Sequence, residues 1–349
     1  MASTPTASDT AEWEGVTTVD YHTGGEPFRI VADPSVALPG DGVADRRVRA
    51  AADPDVQHLR RVLCHEPRGH ADMYGGFITP PDDDGAHFGV LFWHKDGFST
   101  ACGHGTIALG TWAVESGLVQ APADGVVDVR IDVPSGRVTA RVHVAQGRVS
   151  HTDFVNVPSH AIARDVEVAT SRGPLRVDVG FGGAIYAQLD ARTAALAVVP
   201  EQVDDLIALG REIKWALNDH AVAQHPTDTR LSGVYGTTIY DDLGTTDDGR
   251  AHQRNVTVFA DGEVDRSPCG SGTCARVAVL DAHGDLPDGR DLVHDSLVGS
   301  RFLARVEERT VVDGHEAVVV SVSGTAHRTG EHRFVVDPAD SLTPGFVLR

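Results

Sequence analysis

The chain has 349 residues, 41% of them hydrophobic, which is long for one typical domain and ample for packed cores. Asp and Glu outnumber Lys and Arg by 50 to 30, a formal charge of −20 that disfavours nucleic acid and anionic membrane surfaces as partners. No stretch approaches the roughly 18 apolar residues of a membrane span, and Cys64, Cys102, Cys269 and Cys274 show neither disulfide-scaffold nor zinc spacing, so the expectation is a cytoplasmic protein with reduced thiols.

Residues 1–14 are rich in Ala, Ser and Thr without an apolar run, and read as a disordered tail rather than a signal peptide. Residues 15–20 alternate into a strand that breaks at Tyr21-His22-Thr23-Gly24-Gly25-Glu26-Pro27 and resumes over 28–31. The Ala/Arg-rich stretch 45–52 has no decisive pattern, whereas Asp53-Pro54 reads as an N-cap and first position of a helix to about residue 63. A polar loop from Glu66 to Gly76 leads to the continuous apolar run 89–93, a buried strand. Ser99-Thr100-Ala101-Cys102-Gly103-His104-Gly105-Thr106 then opens a helix over 106–115, stopped by Ser116-Gly117. Stretches 126–133, 137–144 and 148–155 alternate as antiparallel hairpins, and 158–163 is the expected crossover to the second half. Strands follow at 175–179 and 184–189, split by a Gly-rich turn at 180–183, then an amphipathic core helix at 203–222 and strands at 231–240 and 253–259. Asp265-Arg266-Ser267-Pro268-Cys269-Gly270-Ser271-Gly272-Thr273 opens the helix 273–283, and strands at 318–322 and 333–336 end the pattern.

Two stretches therefore read Cys-Gly-x-Gly-Thr and run into a helix, nearly half the chain apart. Each half carries strands, such a turn and one central helix, which predicts an α+β domain duplicated in tandem: residues 15–160 with Cys102 and residues 161–334 with Cys269. A last strand at about 335–349 is expected to return to the first domain. A cysteine at a helix start meets unpaired N–H groups and the positive end of the helix dipole, which bind a carboxylate and lower a thiol pKa to about 3.5–7.5. Two such sites facing one carbon could take a proton from one face and deliver one to the other, inverting an α carbon without a cofactor. The chain has only two lysines, Lys95 and Lys214, and neither sits in a phosphate loop, against a pyridoxal-phosphate mechanism. Neither a P-loop nor a dinucleotide fingerprint is present, and the histidines lack clustered metal spacing, so no cofactor and no metal are expected.

Asp20 to Pro27, Glu66-Pro67-Arg68-Gly69-His70 and the two cysteine stretches, in that order from about residue 19 onward, resemble the motifs of the proline racemase family. That family holds proline racemases, 4-hydroxyproline 2-epimerases and trans-3-hydroxy-L-proline dehydratases. The resemblance implies the two-domain fold shared with diaminopimelate epimerase, with the active site in the cleft between the domains. By position it makes Cys102 and Cys269 the acid/base pair and puts the N–H groups of Gly103, His104, Gly270 and Ser271 on the substrate carboxylate. It also implies His104 and Asp265 near the ring nitrogen or a ring hydroxyl, and His22, Thr23, Gly24, Glu66 and His70 lining the cleft. The implied partner is a small imino acid, proline or hydroxyproline, and the implied assembly a homodimer.

A cysteine at both positions resembles the racemases and epimerases, since many dehydratases carry Thr at the second. The stretches Asp72-Met73-Tyr74-Gly75, Gly182-Gly183-Ala184-Ile185-Tyr186 and Val258-Phe259-Ala260-Asp261-Gly262 look more like the dehydratase branch. Inversion needs an acid on the far face and β-elimination does not, so the catalytic position is weighted over the scaffold. A catalytically silent imino-acid binding protein is the remaining alternative. Cys64 and Cys274 read as small core residues, Gly24-Gly25 and Gly182-Gly183 equally as tight turns, and Glu66 with Arg68 as a structural ion pair.

Overall fold

The computed structural model describes residues 15–286 and 291–348, so the expected tail at 1–14 lies outside the described residues. The first half runs β1 (Val16–Thr23), β2 (Glu26–Val31), α1 (Val43–Ala52), α2 (Pro54–Cys64), β3 (Gly75–Thr79), β4 (Phe88–His94), β5 (Gly97–Phe98), α3 (Gly103–Glu115), β6 (Gly125–Val133), β7 (Gly136–Ala145), β8 (Arg148–Val155) and β9 (His160–Thr170). The second runs β10 (Gly173–Phe181), β11 (Ile185–Asp190), α4 (Val203–Leu217), β12 (Val234–Thr245), β13 (Ala251–Phe259), β14 (Glu263–Val264), α5 (Gly270–His283), β15 (Leu292–Ser296), β16 (Arg301–Val312), β17 (His315–Gly324) and β18 (Ala326–Phe334).

Strand pairing repeats between the halves. β1 is antiparallel to β2, β2 parallel to β3, β3 antiparallel to β4, β4 parallel to β6, and β6, β7 and β8 form antiparallel neighbours. The same sequence of senses runs through β10, β11, β12, β13, β15, β16 and β17. Parallel pairs need a crossover, and helices supply it: α1 and α2 in one half, α4 in the other, with α3 and α5 in equivalent places. The two halves join where β8 pairs antiparallel with β17.

Each half also sends its last strand to the other. β9 follows β8 but pairs with β10, and β18 follows β17 but pairs with β1. The return to the first half therefore begins at Ala326, earlier than the 335–349 expected from the sequence. The stretch Ala-His-Arg-Thr-Gly-Glu-His-Arg-Phe is polar and mostly exposed, so no apolar alternation marks it; backbone pairing to β1 makes it a strand. Beyond it, Phe346 forms an isolated bridge to Glu66.

Other boundaries moved for local reasons. Residues 43–52 are helical, and Asp53 ends that helix while capping the next through Asp55 and Val56 N–H groups. α4 stops at Leu217 rather than 222, because Asn218-Asp219-His220 favours caps and turns. β15 and β16 carried no strand signal: Arg301–Val312 is interrupted by three Arg and two Glu, and becomes extended by pairing on both sides.

α3 and α5 lie inside. Every residue from Gly103 to Ala113 and from Gly270 to Leu280 is buried, so neither helix has a solvent face. Their many Gly, Ala and Thr residues let the surrounding strands approach closely, and their N-termini meet at the centre of the molecule. No described helix is long and apolar enough to cross a membrane.

Candidate active site

Cys102 caps α3 and Cys269 caps α5. The Cys-Gly-x-Gly-Thr pattern is explained position by position. The first glycines, Gly103 and Gly270, touch across the gap: a Cβ on Gly103 would lie 2.5 Å from Gly270 Cα, and one on Gly270 2.6 Å from Gly103 Cα. The second glycines make room for the thiols, since a Cβ would sit 2.7 Å from Cys102 Sγ at Gly105 and 2.9 Å from Cys269 Sγ at Gly272. The threonines close the first turn, with Thr106 Oγ1 donating to Cys102 O at 2.8 Å and Thr273 Oγ1 to Pro268 O at 2.9 Å.

The first-turn N–H groups are partly unclaimed. Gly105 N–H donates to Cys102 Sγ at 3.2 Å, and the N–H groups of Thr106 and Thr273 bond the cysteine carbonyls. Among the described residues, the N–H groups of Gly103, His104, Gly270 and Ser271 make no hydrogen bond. Four orphan donors at two abutting helix N-termini have the chemistry to hold an anion.

Cys269 has a φ of 62°, a strained conformation for a non-glycine residue that costs on the order of 1–3 kcal/mol. The preceding turn holds it there. Cys269 N–H donates to Ser267 Oγ at 3.1 Å, Ser267 Oγ donates to Asp265 Oδ1 at 2.7 Å, and Asn255 fixes Pro268 O at 3.0 Å.

Both thiols are nearly closed off, 4% and 6% exposed. Burial pushes each well above its usual pKa; Gly105 N–H pulls Cys102 back in part, and the charge of Asp265 pushes Cys269 further up. The expected low thiol pKa therefore does not hold in this closed site, where desolvation outweighs the helix ends. His104 is buried with its ring nitrogens 3.5 and 3.6 Å from Cys102 Sγ, and burial lowers its pKa to about 3, so the ring is neutral. Thr23 Oγ1 holds His104 O at 2.9 Å.

Around the thiols stand residues the sequence did not single out. The Tyr74 ring packs edge-on to His104 at 5.0 Å and lies 5.8 Å from Phe259. Its hydroxyl bonds Ser99 Oγ and, at 3.0 Å, Tyr235 OH. Tyr186 OH bonds Ser271 Oγ at 2.7 Å. Tyr74, Tyr186 and Phe259 all lie in the three stretches that resemble the dehydratase branch, which was the available signal.

Asp265 sits in an acidic group with Glu26 and Asp72 that Arg266 partly neutralises. Arg266 N–H donates to Glu26 Oε2 at 2.8 Å and its guanidinium to Asp72 Oδ2 at 2.8 Å. Burial raises the Asp265 pKa to about 6, and Ser267 restrains it. An acid whose folded pKa exceeds its ordinary value of 3.8 contributes stability below that value and loses it as pH rises through 6. Asp265→Asn should therefore gain roughly 3 kcal/mol relative to the native chain between about pH 4 and pH 6.5. Urea melts across that range check it, and a gap that stays constant would mean that Asp265 titrates normally.

The structure does not gather every expected lining residue at the thiols. Gly24 makes the β1–β2 turn against Ser267 and Ser300, and His22 Nδ1 accepts from Gly25 N–H at 3.2 Å. Glu66 and His70 line an outer cavity with Asp72 and Arg266, which includes neither cysteine. Arg68 pairs with Asp340 at 3.6 Å rather than with Glu66. Cys64 and Cys274 are wholly buried, and burial raises both to about 12. Among the described residues, two groups have metal-ligand donors, His143-His151-Asp153 and His94-Asp96-Glu263, and neither contains a thiol.

The proline racemase family profile matches residues 18–347. A 3-hydroxyproline 2-epimerase of Burkholderia multivorans is 44% identical over 96% of this chain and 98% of its own. A trans-3-hydroxy-L-proline dehydratase of Bacillus thuringiensis is 41% identical over 95% and 98%. A crystal structure of a hydroxyproline epimerase from Agrobacterium vitis, with bound trans-4-hydroxy-L-proline, superposes with a TM-score of 0.89 at 30% identity, covering 97% of each chain. With its paired cysteine turns and duplicated α+β fold, the chain belongs to the proline racemase family.

Proposed function

We propose that the protein is a cofactor-independent 2-epimerase of hydroxyproline, with 3-hydroxyproline its foremost substrate. The observation that carries this reading is the pair of cysteines capping two helices whose N-termini abut. The substrate carboxylate lies on the N–H groups of Gly103, His104, Gly270 and Ser271, which also stabilise the extra charge it gains when Cα loses its proton. Cys102 and Cys269 stand on opposite faces of Cα, one as thiolate and one as thiol. The thiolate removes the proton, the thiol returns one to the other face, and the pair ends with its roles exchanged.

Closure serves the chemistry. A thiolate formed while the cleft is open becomes a stronger base once desolvated, as the raised thiol pKa values in the closed state imply. The Ser99–Tyr74–Tyr235 hydroxyl chain offers partners for a ring hydroxyl, which favours a hydroxylated substrate over proline. His104 and Asp265 are assigned to the ring nitrogen and hydroxyl, and the two repeated halves act as the two domains that close over the ring. All four cysteines are free, as a reducing cytoplasm would keep them.

A second reading, β-elimination of water from trans-3-hydroxy-L-proline, is favoured by the 41% identical dehydratase and by the tyrosines around the ring site. Proton NMR in D₂O separates the two. With trans-3-hydroxy-L-proline, trans-4-hydroxy-L-proline and L-proline in parallel, the expected result is loss of the Cα proton and growth of the 2-epimer, fastest with the 3-hydroxy compound. A cyclic imine without the hydroxyl would establish the dehydratase. Binding without exchange at Cα would leave only an imino-acid binding protein.

A further inference from the structure

We propose that the cavity between α1, β5 and α4 is a second binding site, for a small organic carboxylate on a compact apolar body. The cavity is about 420 Å³ and draws its walls from both halves. Arg47 and Phe98 face Lys214, Trp215, Leu231 and Tyr235 across it, and neither catalytic thiol lines it. The wall it shares with the thiol site is the hydroxyl chain of Ser99 and Tyr235 with Tyr74.

Two cations give the cavity its character. Lys214 is only 7% exposed, yet its ammonium makes no hydrogen bond or ion pair among the described residues. Its near neighbour is the Trp215 ring, 3.7 Å away. Arg47 donates to two carbonyls, Phe98 O at 3.1 Å and Arg230 O at 3.2 Å, and among the described residues meets no carboxylate within ion-pair distance. The acids on the wall are already engaged. Asp96 pairs with Lys95 at 2.7 Å and accepts from Asp261 N–H, while Asp261 pairs with Arg211 at 2.5 Å and accepts from Trp215 Nε1 at 2.9 Å.

Lys214 is held in the wall with its ammonium open to the cavity; burial of the side chain lowers its pKa, and the charges of Asp261 and Asp96 offset that only in part, without a direct ion pair. An incoming carboxylate can make the direct ion pair that Asp96 and Asp261, turned to Lys95 and Arg211, do not make with Lys214 and Arg47. Phe98, Trp215, Leu231 and Tyr235 supply apolar contact for its body, which a strongly hydrated phosphate cannot use. Nothing in this argument depends on which imino acid the thiols process.

The test follows tryptophan fluorescence of the full-length protein during titration with cyclopentanecarboxylate, with inorganic phosphate in parallel. The expected result is a saturable change with the carboxylate only. Lys214→Met, which keeps the apolar stem, should weaken it by roughly 10–100-fold, the loss of one charge-assisted bond. Trp215→Phe should remove the optical signal while calorimetry still detects a binding step that Lys214→Met weakens. Turnover of Lys214→Met, measured without the probe, should match the native protein, which separates this site from the thiol site. No saturable change, equal titration of Lys214→Met, or phosphate binding as tightly as the carboxylate would each overturn the proposal.

Discussion

Cys269→Ala should end inversion of the α carbon, lowering kcat by about 10³-fold or more, within the range of a lost general acid or base. It should leave the fold intact, because removing one buried sulfur atom costs only on the order of 1 kcal/mol. Cys102 keeps its cap contact to Gly105 in this variant, so solvent exchange at Cα should survive from the one face it addresses. Cys102→Ala should mirror this, with exchange confined to the opposite enantiomer. NMR in D₂O on each enantiomer reads both variants, alongside circular dichroism for the fold. Full inversion by either variant would sink the two-thiol mechanism. The same pair of variants also tests the competing chemistry. β-Elimination needs one base at Cα and a proton for the departing hydroxyl, so water loss that persists in one variant at near-native rate would identify the dehydratase.

The residues at the centre of this reading were legible because each answers a strict backbone demand. Cys-Gly-x-Gly-Thr recurs because two glycines and a threonine are each needed to seat a thiol at a helix start beside a second, identical start. The duplication was legible for the same reason, since the motif stands at the same place in each half between a two-residue strand and a parallel crossover. What stayed hidden depends on contacts between distant segments. Tyr74, Tyr186 and Tyr235 are ordinary aromatic positions in the chain; folding within each half brings Tyr74 to Ser99 and Tyr186 to Ser271, and only the packing of the two halves brings Tyr235 to Tyr74. β18 is polar and mostly exposed, so its pairing with β1 leaves no periodic trace. The thiol pKa was misjudged because the sequence shows the helix start but not the depth at which it is buried.

Gly103→Ala should be strongly damaging, although it removes no reacting group. Its Cβ would lie 2.5 Å from Gly270 Cα and 2.9 Å from the Phe154 ring, whereas carbon atoms in contact settle at about 3.5–4.0 Å. The two helix starts must therefore separate by about 1 Å, a displacement that can cost roughly 100-fold in kcat/KM where reacting groups are held by geometry. The overpacked core should also lose about 1–3 kcal/mol of stability. Gly270→Ala meets Gly103 in the same way, 2.6 Å from its Cα, and should do the same. The decisive measurement is the double variant. If both methyl groups wedge one shared gap, the separation forced by the first makes room for the second, and the combined loss falls well short of the sum. Additive losses in stability and in kcat/KM would mean that the glycines act on independent surroundings, and that the two N–H clusters do not close on one carboxylate.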